Sequence, residues 1–260
     1  MAKIIAIANQ KGGVGKSTTT LNLAYSLEKL GKKVLAIDLD SQANLTTCFG
    51  IDRPNEIETN IAHLMIKSIN EEAMPPKEDY IMSIDGVDLI PSSIYLSVVD
   101  ASLRLEMGSE IILANIIDPL REHYDYIIID TTPSLGTLTI NALSAADSVI
   151  ITVNPQLLAM MGLNDLMKTI TKIRRRINTK LTVEGILLTM CETRTNLYKT
   201  LTNQLSESYQ ETVRIFETQI PSSVKVGEAN YYGMSIQKYD SKAKAGQAYM
   251  ELAKEMIENE

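Results

Sequence analysis

Short, nearly unbroken apolar runs recur along the chain at residues 3–8, 33–37, 87–90, 126–130, 148–153 and 183–190. Runs of that length suit strands covered on both faces, as in a parallel sheet. Between most of them the apolar positions recur at threes and fours instead. Leu21, Leu23, Ala24, Leu27 and Leu30 follow that spacing and Gly31 ends it, which predicts a helix closed by a glycine cap. Leu163, Leu166, Met167, Ile170, Ile173 and Ile177 form the core-facing stripe of a helix near 158–177. The alternation predicts an α/β fold, a doubly wound and mostly parallel sheet with helices on both faces. The stretch 50–83, with Pro54, Pro75 and Pro76, is the least regular and reads as helical pieces and loops inserted after the second strand. No low-complexity segment or internal repeat divides the chain, so residues 1–260 are expected to form one domain.

Composition narrows the class. The apolar and charged fractions, 45% and 22%, are those of a globular protein, and no apolar run approaches the roughly 18 residues of a membrane span. Cys48 and Cys191 lie far apart without a CxxC partner, which points to neither a disulfide framework nor a zinc site and suits a reducing cytoplasm. The net charge is −7, unevenly spread: residues 1–150 hold 11 Lys and Arg against 20 Asp and Glu, and residues 151–260 hold 14 against 12. That balance argues against constant coating of nucleic acid and leaves room for a local basic face in the second half.

The candidate chemistry begins where the first strand ends. Gly12, Gly13 and Gly15 follow it, and Lys16, Ser17 and Thr18 open the next helix. Glycines let backbone N–H groups turn inward around a phosphate, and a helix N-terminus adds partial positive charge. Lys16 supplies a full charge, and the Ser17 hydroxyl can ligate Mg²⁺. The run 126–130 ends in Asp130, which serves either as a helix cap or, opposite Ser17, as a carboxylate that holds Mg²⁺ through water. Asp38 and Asp40 close the second strand. Either can be a turn residue, and either can accept a proton or hydrogen bond from water beside a terminal phosphate.

The form KGGVGKST departs from the usual P-loop, because Gln10 stands where the first glycine belongs and Lys11 precedes the glycine pair. It resembles the deviant Walker A motif of the ParA/MinD/nitrogenase-iron-protein group. DLDSQANLT after the second strand, LTMCETRTNL at 188–197 and IFETQIPSSVKVGEANYYGMSI at 215–236 resemble ParA/Soj-type ATPases. The resemblance implies a P-loop NTPase of deviant Walker A type with ATP and Mg²⁺ as cofactors. ATP is then contacted by Lys11, Gly12, Gly13, Val14, Gly15, Lys16, Ser17 and Thr18. Lys11 reaches the partner's nucleotide in an ATP-bound sandwich homodimer, and Asp40 orients or activates the attacking water. Ser17, Asp38 and Asp130 surround the metal. Met190 and Pro221 flank the adenine, although Pro221 also reads as a simple turn.

The same resemblance implies non-specific double-stranded DNA binding in the ATP state by Arg194 and Lys225, with Lys199, Arg214, Lys238, Lys242 and Lys244 as additions. A ParB-like partner stimulates slow hydrolysis and release, in a cytoplasmic, nucleoid-associated setting. The chain departs from the family at Ser41, at Thr131–Thr132 and at Ser222–Ser223. With fewer cations at 222–225, weaker DNA binding and a shallower salt slope are expected.

Other readings fare worse. A membrane switch of MinD type needs a basic amphipathic C-terminus, whereas Glu251, Glu255, Glu258 and Glu260 are repelled by anionic lipid. An iron–sulfur reductase needs a cysteine after the Asp130 loop, and 131–147 has none. Positioning of a protein cargo by the same engine stays open. Arg174, Arg175, Arg176 and Lys180 suit either DNA contact or the dipole of a helix end. The first strand begins at Lys3, so no separate N-terminal DNA-reading domain is expected.

Overall fold

In a computed structural model, which describes residues 1–155 and 157–259, seven strands form one sheet. They are β1 (Lys3–Ala8), β2 (Val34–Leu39), β3 (Met82–Ile84), β4 (Val87–Ile90), β5 (Tyr126–Thr131), β6 (Ser148–Val153) and β7 (Thr182–Leu188). Their order is β3-β4-β2-β5-β1-β6-β7, and only β3 runs antiparallel to its neighbour. The helices on one face are α1 (Lys16–Lys29), α2 (Asn44–Cys48), α9 (Val224–Tyr231), α10 (Ile236–Tyr239) and α11 (Lys244–Glu258). The other face carries α3 (Ile61–Ile69), α4 (Leu96–Leu103), α5 (Ile112–Ile117), α6 (Thr137–Ala145), α7 (Leu157–Arg176) and α8 (Asn196–Tyr209).

Strand alternation explains the two layers. Ile4, Ala6 and Ala8 of β1 face the α6 side, and Ile5 and Ile7 face the α1 side. Every residue of β2, β5 and β6 is buried, so both faces must be apolar and the runs read as continuous. β1 sits between β5 and β6, where the chain leaves for opposite sides of the sheet. Ligands of open α/β sheets bind at the carboxyl ends of strands at such a crossing.

The predicted α1 and its cap are present: Gly31 has φ 81° and its N–H donates to the Glu28 carbonyl at 2.8 Å. Three expectations need correction. The irregular stretch 50–83 contains β3, which turns into β4 through Asp85 and Gly86, both at positive φ. The last strand stops at Leu188, because Thr189 and Met190 leave the ladder. α7 ends at Arg176, so Ile177 is exposed instead of continuing the buried stripe.

One backbone contact ties the two halves of the α1 face together. A Cβ added at Gly233, which has φ 63°, would lie 2.3 Å from the Gly50 Cα just after α2. Gly233→Ala is therefore expected to cost about 2–4 kcal/mol, through both the disfavoured φ and the backbone clash. Urea unfolding of the purified variant checks this, and an unchanged midpoint would show that the loop moves aside freely.

Candidate active site

The phosphate loop is shaped by its own backbone and by two neighbouring strands. Gly13 and Gly15 adopt φ of 71° and 81°, a region that side chains disfavour. The Asn9 side-chain amide donates to the Thr152 carbonyl at 2.6 Å, and its oxygen accepts from the Lys11 N–H at 2.9 Å. Thr189 donates through its hydroxyl to the Val14 carbonyl at 2.9 Å. Lys16 is buried, and its Nζ curls back to the Lys11 carbonyl at 3.2 Å. Burial lowers the Lys16 pKa, opposed by the attraction of Asp130 and Asp40. Asn230 of α9 donates to the Thr18 hydroxyl at 3.0 Å, a contact with no sequence signal.

Asp38 and Asp130 stand directly opposite one another across β2 and β5. Their surroundings differ. Asp38 accepts from the Thr46 N–H and hydroxyl, at 2.8 and 2.7 Å, and from the Asp40 N–H at 3.1 Å. Both of its oxygens are thus engaged. The geometry makes Asp38 the anchor of the Asp40 turn and of α2, and keeps it beside Asp130, with which it is expected to flank the metal. Burial still pushes its carboxyl up to about 6 against those hydrogen bonds. Asp130 is fully buried, and neither of its oxygens has a hydrogen-bond partner at normal geometry among the described residues. Burial, followed by the charge of Asp38, raises its pKa well above the usual range, while Ser17 and Lys16 pull it down. A buried carboxylate beside a P-loop serine fits Mg²⁺, which prefers one or two protein oxygens with phosphate and water completing its shell.

A carboxyl must lose its proton to hold a cation. The raised pKa of Asp130 therefore predicts that Mg²⁺-dependent ADP affinity weakens on acidification at a pH well above the ordinary carboxylate range. Comparing wild type with Asp130→Asn from about pH 8 to about pH 5 tests this. The Asp130-dependent part of the pH slope should vanish in the variant, and identical slopes would count against Asp130.

Asp40 is buried at the start of the following turn, where its Oδ1 accepts from the Gln42 N–H at 3.0 Å. The β5 loop approaches the phosphate loop at Pro133, whose Cβ lies 3.8 Å from an added Gly12 Cβ. Met190 and Pro221 lie on neighbouring segments joined at Cys191. The Cys191 N–H donates to the Ile220 carbonyl at 2.9 Å, and the Ser222 N–H donates back to the Cys191 carbonyl at 3.2 Å. Met190 has φ 52°, rare for a non-glycine residue, and its methyl lies 3.8 Å from a Cβ added at Gly15. Beside it opens a cavity of about 300 Å³ lined by Asn154, Pro155, Met190, Glu192, Tyr198 and Ser222, among others. Sequence reasoning missed most of these lining residues, which come from three separate segments.

The candidate DNA cations divide. Arg194 and Lys199 are exposed, just beyond Met190. Lys225, on α9, pairs with Asp240. Arg214 lies over the Phe216 ring and bonds Glu255 of α11 at 2.6 Å, so it is engaged in holding α11. Lys238 pairs with Asp85. Arg174–Arg176 occupy the far end of α7, where the chain returns to the amino end of β7, away from the phosphate loop. Their placement fits the dipole role.

A family model described as an AAA domain matches residues 2–183. The sporulation initiation inhibitor protein Soj of Bacillus subtilis (strain 168) is 38% identical over 259 residues, covering 100% of both chains. The chain belongs to the ParA/Soj family of partition ATPases. The chromosome partitioning protein ParA of Caulobacter vibrioides (strain NA1000 / CB15N) is 35% identical, with 99% of this chain and 95% of that one covered. Among solved structures, cobyrinic acid a,c-diamide synthase from Mycobacterium smegmatis with bound ATP analog and magnesium superimposes with a TM-score of 0.86. It is 28% identical and covers 100% of this chain and 96% of its own. As in other ParA-type ATPases, ATP and Mg²⁺ are the cofactors that the glycine loop, Lys16, Ser17 and Asp130 suit. Among the described residues, no helix of this ParA-type ATPase is long and apolar enough to cross a membrane.

Proposed function

We propose that this ParA-type ATPase is a DNA-partition switch, one ATPase domain across residues 1–260. Its ATP-bound sandwich dimer holds non-specific double-stranded DNA, and a ParB-like partner releases it by stimulating slow hydrolysis. The observation that carries this reading is the contact between the phosphate loop and the segment that bears the exposed cations. Val14 is bonded to Thr189, Met190 follows and touches the Gly15 side, and Arg194 stands four residues on. The segment that leads to Arg194 therefore starts from a direct contact with the phosphate loop.

Each residue has a role. The loop N–H groups and Lys16 hold the phosphates. Lys11 serves the nucleotide of the second copy. Asp40, fixed by Asp38, takes the hydrogen bond or proton of the attacking water. Ser17 and Asp130 would hold Mg²⁺, which would supply charge neutralisation at the terminal phosphates. Met190 and Pro221 give the base apolar contact. Arg194 and Lys199 meet DNA phosphates, and Lys225 joins them on exchanging Asp240 for phosphate.

The double variant Arg194→Ala/Lys199→Ala is expected to bind ATP normally. It should retain random-sequence duplex DNA about tenfold less well, with a salt slope shallower by about 1–2. Unchanged retention removes this face from the interface.

A further inference from the structure

α4 and the turns that flank it carry apolar side chains on both sides. Leu96, Val99 and Leu103 are buried in the core. On the opposite side, Ile94, Val98, Ala101 and Leu105 follow one another at helical spacing and are all exposed, Val98 by 61% and Leu105 by 89%. Tyr95 and Met107, exposed by 54% and 93%, widen the stripe. The outer side of a surface helix is ordinarily polar, and a contiguous apolar stripe there marks a surface that another molecule covers.

Charge identifies the kind of occupant. Residues 52–110 hold 12 acidic and 4 basic side chains, so the whole negative surplus of the chain is gathered in this stretch. Three of those cations, Arg53, Lys67 and Arg104, are paired with Glu56, Glu72 and Asp100. The Ile94 N–H donates to the Asn55 side chain at 3.0 Å, which sets the turn bearing Glu56 and Glu58 beside one end of the stripe. Glu106 and Glu110 flank the other end. A second copy of the same face would bring like charges together, and anionic lipid is repelled for the same reason.

The stripe is also mechanically connected to the phosphate site. Asn141 of α6 donates to the Ser109 carbonyl at 2.8 Å and accepts from the Leu113 N–H at 3.0 Å, clamping the segment after α4 onto α6. α6 itself follows directly on Gly136, the end of the loop that approaches Gly12.

We infer that the outer face of α4 seats a cationic amphipathic helix of a partner protein. Its apolar side lies on Val98 and Leu105 and its basic flanks face Glu56, Glu106 and Glu110. The inference rests on the switch reading above only for its consequence, which is that docking here acts on hydrolysis through α6.

The test uses the full chain and a labelled, end-capped peptide that repeats Leu-Lys-Lys-Leu-Leu-Lys-Leu, followed by fluorescence anisotropy. Val98→Ser/Leu105→Ser should weaken binding about tenfold or more, since two exposed apolar side chains leave the contact. Glu106→Lys/Glu110→Lys should weaken it similarly. Glu207→Lys/Glu211→Lys, at and just beyond the end of α8, should leave it unchanged, and a peptide with Glu in place of Lys should not bind. Equal binding by the serine variant, or equal weakening by the α8 reversal, overturns the inference. So does a changed elution volume of the serine variant without peptide, which would give the face to a second copy. Basal ATP turnover of the serine variant should match wild type. Failure of ATP-dependent DNA retention in wild type would sink the switch reading and leave the peptide result standing.

Discussion

Lys16→Ala is expected to lose ATP almost entirely. Lys16 is buried inside the phosphate loop, held between the Lys11 carbonyl and the fields of Asp130 and Asp40. Removing one partner of a desolvated charge pair costs about 3 kcal/mol or more, which is about a hundredfold or more in affinity. Its own burial is unfavourable without phosphate, so the fold should survive the change. Calorimetric titration with ATP and Mg²⁺, beside a thermal melt without nucleotide, separates the two effects. A variant that melts normally and still hydrolyses ATP at the wild-type rate would remove Lys16 from the site.

Asp40→Ala should have the opposite signature, with binding kept and turnover lost. Asp40 lies outside the glycine loop, in a turn pinned by Asp38 and Thr46, so phosphate contacts are untouched. Loss of a positioned general base costs about 10²–10⁴-fold in rate. With hydrolysis stopped and ATP bound, the chain should accumulate as a dimer on a sizing column. Asp40→Asn preserves an acceptor for the Gln42 N–H and should behave the same, which separates the chemistry from the turn. A monomer in saturating ATP, or turnover near wild type, would count against Asp40.

The phosphate loop was legible because local chemistry dictates it. Glycines at positive φ, a strand before and a helix after are all sequence-local demands. The central strands were legible because both faces are buried. β3 was missed because three residues, two of them exposed, carry little periodicity, yet Asp85–Gly86 is a strong hairpin signal that could have revealed it. Asp38 and Asp130 look alike as strand-end carboxylates. Only Thr46, eight residues past Asp38, shows that one is satisfied and the other is not. Arg214 and Arg194 are likewise equivalent by residue type. The partner that claims Arg214 is Glu255, 41 residues away, and no spacing announces it. Gly233 meeting Gly50 is equally non-local.

The most direct test of the central claim is retention of wild-type protein on random-sequence duplex DNA with ATP, with ADP and without nucleotide, at low and moderate salt. Retention confined to ATP, and falling steeply with salt, is the predicted result. Equal retention in all three states, or none in any, would contradict a nucleotide-gated DNA switch.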